Sequence, residues 1–240
     1  MKSVLIDSRR EGAVTDRLTR LGYRVIPLSP SRHLPPATSA HPDSLMTRLG
    51  GEIITYADYC DEAAFVFSDI REYHPTLRIS FSSDTPGDTY PADTKYNALV
   101  MGKRVFARAE SLSATVRERI AACGYELIPT RQGYPACTTL ALDPSHAITA
   151  DGGMARVLSE NGVEVTLIEA GGIMLPPYEY GFIGGAAGVD GDKVYFAGNL
   201  ASHPSAAVIE KAVRDAGLCP VSLSDGALID IGGLVFLDEA

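Results

Sequence analysis

Two units recur along this chain and alternate with each other. The first is an amphipathic helix that stops at a glycine and leads into a strand: "LTRLGYRVIPLS" at Gly22, "IAACGYELIPT" at Gly124, "LSENGVEVTLIE" at Gly162 and "VRDAGLCPVSLS" at Gly217. Glycine fits that place because a helix often ends on a residue at positive φ. The second unit is a hairpin of two short apolar strands, with its turn at Gly50-Gly51, Gly102-Lys103, near Pro144, near Gly191 and at Gly232-Gly233. The turns come about one every 40–50 residues, a spacing typical of repeat architectures. Residues Val116, Ile120 and Cys123, like Ile209, Val213 and Ala216, fall on one helix face.

Interleaved, the units read hairpin, helix, strand, five times over one domain spanning residues 1–240. The first module is split. A strand at Lys2–Ser8 and a helix at Ala13–Leu21 open the chain, and their hairpin partner comes from its C-terminal end. Such a clasp closes a ring of sheets and removes exposed strand edges. The predicted fold class is therefore α/β, a five-module β/α-propeller. The second module departs from the pattern: its helix, read as Asp61 to about Ile70, has no terminal glycine. Two polar loops, Ser82–Ala92 and Ala170–Tyr180, each precede a hairpin and so lie at the same end of the ring.

The densest glycine stretch, "GFIGGAAGVDGDKVYFAGNLASHP", invites comparison with a phosphate-binding loop. Such a loop needs its glycines between a strand and a helix N-terminus. Here the order is strand, turn, strand, and the helix starts only after Ser202. The glycines are expected to serve close packing near the ring axis. In the turn of this hairpin, Asp190 and Asp192 read as turn formers.

A formal charge of −9 argues against nucleic acid or an anionic membrane as a partner, since both need a basic surface. The opening "MKSVLIDSRREG" lacks the apolar core of a signal peptide, and no apolar run is long enough to span a bilayer. A cytoplasmic protein is expected. Cys60, Cys123, Cys137 and Cys219 show no CxxC spacing, so free thiols are expected, with no metal and no cofactor.

The module order resembles the pentein fold, whose guanidine-modifying branch includes dimethylarginine dimethylaminohydrolase and the arginine and agmatine deiminases. Short motifs support the likeness. "DGALID" resembles the family's C-terminal "DGALTC", which places Asp230 where the family has its nucleophilic cysteine. Cys137, in "ACTT", stands where the family has its catalytic histidine. "YNALVMGKRVFARAES" resembles the strand pair after the family's "EGGD", with Asn97 in place of the aspartate and Asp93 and Lys95 just before it. "HPDSLMTRLGGEII" resembles the hairpin whose acidic pair grips the guanidinium. Asp43 matches one of those acids and His41 is extra. The patterns "HPD", "YGFIGGA" and "GNL..HP" also occur in similar bacterial sequences of no assigned reaction.

The resemblance implies a small-molecule site on the axis. Asp43, Asp93, Lys95, Asn97 and Asp230 are the expected ligand-binding residues, and a polar or cationic metabolite, guanidino or amino-acid-like, is the expected ligand. With aspartate at 230, the family's cysteine chemistry is expected to be lost. Two alternatives stand beside this. A hydrolase or deiminase acting on C–N bonds would use Cys137 as nucleophile and His41 as base. A non-enzymatic scaffold would bind another protein. Just before a helix, Ser202 or His203 reads as the cap with Pro204 in the first turn, and Cys60, Cys123 and Cys219 read as filler.

Overall fold

The computed structural model describes residues 2–10 and 12–238. The expected domain, 1–240, extends beyond them at residues 1, 11, 239 and 240. Strand β1 (Ser3–Asp7), helix α1 (Ala13–Arg20) and strand β2 (Arg24–Leu28) open the fold. The second module contains α2 (Pro42–Leu45), β3 (Met46–Leu49), β4 (Glu52–Tyr56), α3 (Ala57–Glu62), α4 (Ala64–Tyr73) and β5 (Arg78–Ser82). The third contains β6 (Leu99–Met101), β7 (Arg104–Ala107), α5 (Ala114–Ala122) and β8 (Glu126–Pro129). The fourth contains α6 (Pro135–Thr138), β9 (Thr139–Ala141), β10 (His146–Thr149), α7 (Gly152–Glu160) and β11 (Glu164–Leu167). The fifth contains β12 (Ala187–Asp190), β13 (Lys193–Phe196), α8 (Ala206–Asp215) and β14 (Cys219–Ser222), and β15 (Val235–Leu237) ends the described chain.

These strands form five three-stranded sheets of one design, an inner strand antiparallel to the middle one and an outer strand parallel to it. The helix makes the crossover between middle and outer strands, as a parallel connection requires. In the first sheet the order is β15-β1-β2, with Val4 opposite Phe236, so the two chain ends share a sheet as expected. The inner strands pack against each other around an axis, β6 beside β9 and β12 beside both β9 and β15. The helix-end glycines Gly22, Gly124, Gly162 and Gly217 take φ of +92°, +69°, +75° and +77°, where a Cβ would be strained.

The core lies between the sheets and the helices. Every residue of β1 and of β4 is buried. The predicted faces of α5 and α8 bury Val116, Ile120, Ile209 and Val213, each worth about 1.5–3 kcal/mol when taken fully out of water. Asp190 is more than a turn former. It accepts from Lys2 Nζ at 2.8 Å and Tyr23 Oη at 2.6 Å, tying the last module to the first. Asp192 stays at the turn, paired with Lys193.

Two expectations need correction. The helix read as Asp61–Ile70 is two helices, because Ala63 adopts φ −124°, ψ 37° and breaks the run. The second helix ends before His74, which precedes Pro75 and bonds to Ser3 Oγ and the Asp238 carbonyl. The hairpin read around Gly232-Gly233 does not form. Among the described residues, those before that turn make only an isolated β-bridge, Met174 with Ile229, while β15 pairs with β1. Here the Asp230 carboxylate accepts from the backbone amides of Phe182 and Gly232 instead.

Candidate functional site

Two short helical turns carry the central side chains. In α2, His41 is the N-cap and Pro42 the first helical residue, and β3 follows immediately. In α6, Tyr134 is the N-cap, Pro135 follows, and β9 begins at Thr139. Proline suits this position because its missing N–H would be unsatisfied there anyway. A threonine on the middle strand secures each turn. Thr55 Oγ1 donates to the Leu45 carbonyl at 2.8 Å, and Thr149 Oγ1 to the Thr138 carbonyl at 2.7 Å. This device recurs in modules two and four and presents His41 and Asp43 from one, Cys137 from the other. Asn97 Oδ1 adds support by accepting from Ala136 N at 2.9 Å.

Asp230 lies between these turns, fully buried. Its Oδ2 accepts from Phe182 N at 2.9 Å and its Oδ1 from Gly232 N at 3.0 Å. Cys137 Sγ is 3.8 Å from Oδ2, and His41 Nδ1 is 3.7 Å from Oδ1. The other imidazole nitrogen, Nε2, is 3.7 Å from Asp7 Oδ2, and Asp7 is clamped by the Arg9 guanidinium at 2.6 Å. A line of charged and polar groups thus runs from Arg9 near the surface through Asp7, His41 and Asp230 to Cys137. The Asp43 carboxylate lies beside the Cys137 thiol; its Oδ1 accepts from Ser44 Oγ at 3.2 Å and its Oδ2 is buried. Burial, then the Asp230 charge, pushes the Asp43 carboxyl up to about 7. Burial and the two neighbouring carboxylates push the Cys137 thiol well above its ordinary value.

The glycine stretch makes room for this cluster. A Cβ on Gly185 would lie 2.0 Å from Asp230 Oδ1, and one on Gly181 2.4 Å from Asp230 Cβ. A Cβ on Gly184 would lie 2.1 Å from the Ala136 carbonyl oxygen. The density of glycine therefore permits close packing over the site, and the β12–β13 hairpin separates these glycines from the N-terminus of α8.

The expected single axial pocket is two cavities. One of about 430 Å³ follows the axis between the inner strands and is lined by Asp43 at the α2 turn. The other, about 530 Å³, opens at the loop end and is lined by Asp93 and Cys137. Asp230 lines neither. The loop-end pocket also takes Asp88 and Tyr90 from one predicted polar loop and Tyr178, Glu179 and Tyr180 from the other, with Tyr134 and Ser44. Tyr134 Oη donates to Asp93 Oδ2, while Asp93 Oδ1 is buried without a hydrogen-bond partner among the described residues. Burial raises the Asp93 carboxyl above its ordinary value.

Lys95 does not join the other expected residues. It lines a separate recess with Asp84, Arg108 and Arg117, because the turn at Ala92–Thr94 directs residues 93 and 95 apart. Asn97 lines neither central cavity and serves the α6 turn instead. His203 is buried and accepts from Ser205 N at 3.0 Å, but the N-cap of α8 is Ser205, so the helix starts later than expected and His203 lies before its cap. Sequence reasoning passed over Asp7 and the tyrosines. The tyrosines carried one usable signal: Tyr90, Tyr178 and Tyr180 fall in or beside the two loops already placed at the same end.

None of the curated proteins matches the chain in sequence. Solved structures do match in fold. Dimethylarginine dimethylaminohydrolase from Pseudomonas aeruginosa, complexed with citrulline, superposes with a TM-score of 0.57 at 9% identity, covering 92% of this chain and 91% of that one. An amidinotransferase of saxitoxin biosynthesis from Microseira wollei gives 0.56 at 13% identity, over 94% and 78%. The inosamine-phosphate amidinotransferase from Streptomyces griseus gives 0.54 at 14% identity, over 95% and 78%. At these identities the likeness establishes the pentein fold alone. Residues 5–235 match one family over nearly their whole length, and the chain belongs to that family, DUF6873, a family of unknown function.

Proposed function

We propose that the loop-end pocket binds a small cationic metabolite, guanidino or amino-acid-like, and that the family's cysteine chemistry has been lost. One observation carries the reading. Among the described residues, the pocket is lined by three carboxylates, Asp88, Asp93 and Glu179, by four tyrosines, and by no lysine or arginine. A cation gains from both groups. Contact with an aromatic face is worth about 0.5–2 kcal/mol. A hydrogen bond to a charged partner is worth about 1.5–3 kcal/mol. The solved structures of similar fold include enzymes named for dimethylarginine, agmatine and amidino transfer, which favours a guanidino cation over a simple amine.

Electrostatics weigh against Cys137 as a nucleophile. A thiol attacks as its thiolate, and here burial and two carboxylates favour the protonated form. His41 is 3.7 Å from each of two carboxylates, Asp7 and Asp230. Asp230, where the family has its cysteine, is a poor nucleophile toward a guanidinium carbon.

A thermal-shift screen tests the reading. Arginine, agmatine, guanidinium and choline are the probes, with citrate and glucose as controls. The cations should raise Tm and the controls should not. A shift with citrate but none with any cation would overturn the proposal.

A further inference from the structure

The geometry points to a divalent transition-metal site, of the zinc class, formed by His41, Cys137 and Asp230. These residues come from three different modules and are all buried. One ligand atom from each lies within 4.8 Å of the others. In a tetrahedral site with these donors, the ligand atoms stand roughly 3.3–3.8 Å apart, as metal–ligand bonds of about 2.0–2.3 Å require. His41 Nδ1 is 3.7 Å from Asp230 Oδ1 and Cys137 Sγ is 3.8 Å from Asp230 Oδ2, so the two oxygens of one carboxylate face the other two donors, and the set, within 4.8 Å, closes to that spacing with a small inward shift on binding. A thiolate, an imidazole and a carboxylate suit zinc or cobalt rather than magnesium or calcium, which prefer oxygen donors.

The surroundings match what such ligands need. A metal-bound imidazole usually has a carboxylate at its other nitrogen. Asp7 is the carboxylate that faces this nitrogen of His41, 3.7 Å from Nε2, a charge contact that a small shift would turn into a hydrogen bond, and it is fixed by Arg9. A metal-bound carboxylate is itself usually hydrogen-bonded, and Asp230 receives backbone N–H groups from Phe182 and Gly232. A second observation points to a bound cation. The Asp43 carboxylate, its Oδ2 buried, stands beside the Cys137 thiol and adds a second negative charge next to the three donors. Cys137 also lines the loop-end pocket, which gives the ion an entry path. On binding, the thiol proton passes to solvent and a sulfur–metal bond replaces the S–H bond. Three protein ligands leave a fourth position for water.

The site adjoins the proposed cation pocket through Cys137, but none of the pocket carboxylates Asp88, Asp93 and Glu179 is a ligand, so metal binding and cation binding are read out separately. The test uses the full chain, dialysed against a chelator and titrated with cobalt(II). The expected result is one equivalent bound, with a sulfur-to-cobalt charge-transfer band that zinc then abolishes. The triple variant Cys60→Ser, Cys123→Ser, Cys219→Ser should keep the whole band, and Cys137→Ser should lose it. Asp7→Asn, acting as a positioning residue, should weaken binding about 10- to 100-fold. Absence of stoichiometric binding to the wild type, or loss of the band in the triple variant, would overturn the site. Both of those readouts use proteins with the cluster intact, so a folding defect in Cys137→Ser cannot decide either one.

Discussion

Cys137 Sγ lies 3.8 Å from Asp230 Oδ2, so a thiol from the fourth module meets an acid from the C-terminal segment at the centre of the ring. In the guanidine-modifying penteins that these motifs resemble, the corresponding places hold a histidine and a cysteine. A partnership of thiol and carboxylate behaves differently. The carboxylate opposes ionisation of the thiol and so lowers its reactivity.

The first prediction concerns that reactivity. In metal-free protein, iodoacetamide should modify Cys219, which is exposed, well before Cys137. Peptide mapping by mass spectrometry at several times and at pH 7 gives the order. Fastest modification at Cys137 would restore the nucleophile reading.

Glycine substitutions separate two roles of that residue. Gly185→Ala would force a Cβ into Asp230 Oδ1, and the surroundings have little room to yield. A loss of about 1–3 kcal/mol is expected, as for other overpacked sites. Gly191→Ala has φ of +59° but open space around it, so it should lose only about 1 kcal/mol. Urea denaturation midpoints for the two variants should rank in that order.

Ring closure depends partly on Asp190. Its Oδ2 takes the Tyr23 hydroxyl at 2.6 Å and its Oδ1 the Lys2 ammonium at 2.8 Å, across the join between first and last modules. Asp190→Ala removes both partners' hydrogen bonds to a charged group and leaves the half-buried tyrosine hydroxyl with Tyr195 Oη alone at 3.0 Å, and should cost about 1–3 kcal/mol. Asp192→Ala, two residues away at an exposed turn, should change stability by less than about 0.5 kcal/mol. Equal effects would contradict the clasp.

Much of this architecture was legible in the residues. Local signals carry far when a unit repeats: a helix-ending glycine in four modules and a hairpin turn in four were enough to place five modules and their closure. The reading failed where tertiary packing overrode local pattern. Asp230 looked like part of a strand, but its carboxylate accepts from two backbone amides instead. His41, Cys137 and Asp230 meet through the ring, so no linear spacing such as CxxC could announce them. Asp93 and Lys95, two residues apart, were expected together, yet a single turn sends them to different cavities.

Binding of a cation should depend on pH through Asp93. Burial holds this carboxyl above the ordinary aspartate value of 3.8 in the free protein. A bound cation favours the ionised form, so affinity should be full above the raised pKa and fall as pH drops through it. The break should therefore lie above 3.8 and should disappear in Asp93→Asn. Calorimetry over a range of mildly acidic to neutral pH would show it. Affinity that rises on acidification would contradict the sign.

Isothermal titration of arginine and agmatine into the wild type and Asp93→Asn, side by side, bears most directly on the cation pocket. Saturable binding by the wild type should weaken about 10- to 100-fold in the variant, matching a lost hydrogen bond to a charged group of about 1.5–3 kcal/mol. The variant itself should melt no lower than the wild type, because the substitution removes a desolvated charge. Unchanged affinity in Asp93→Asn, or no binding of either cation to the wild type, would contradict the account.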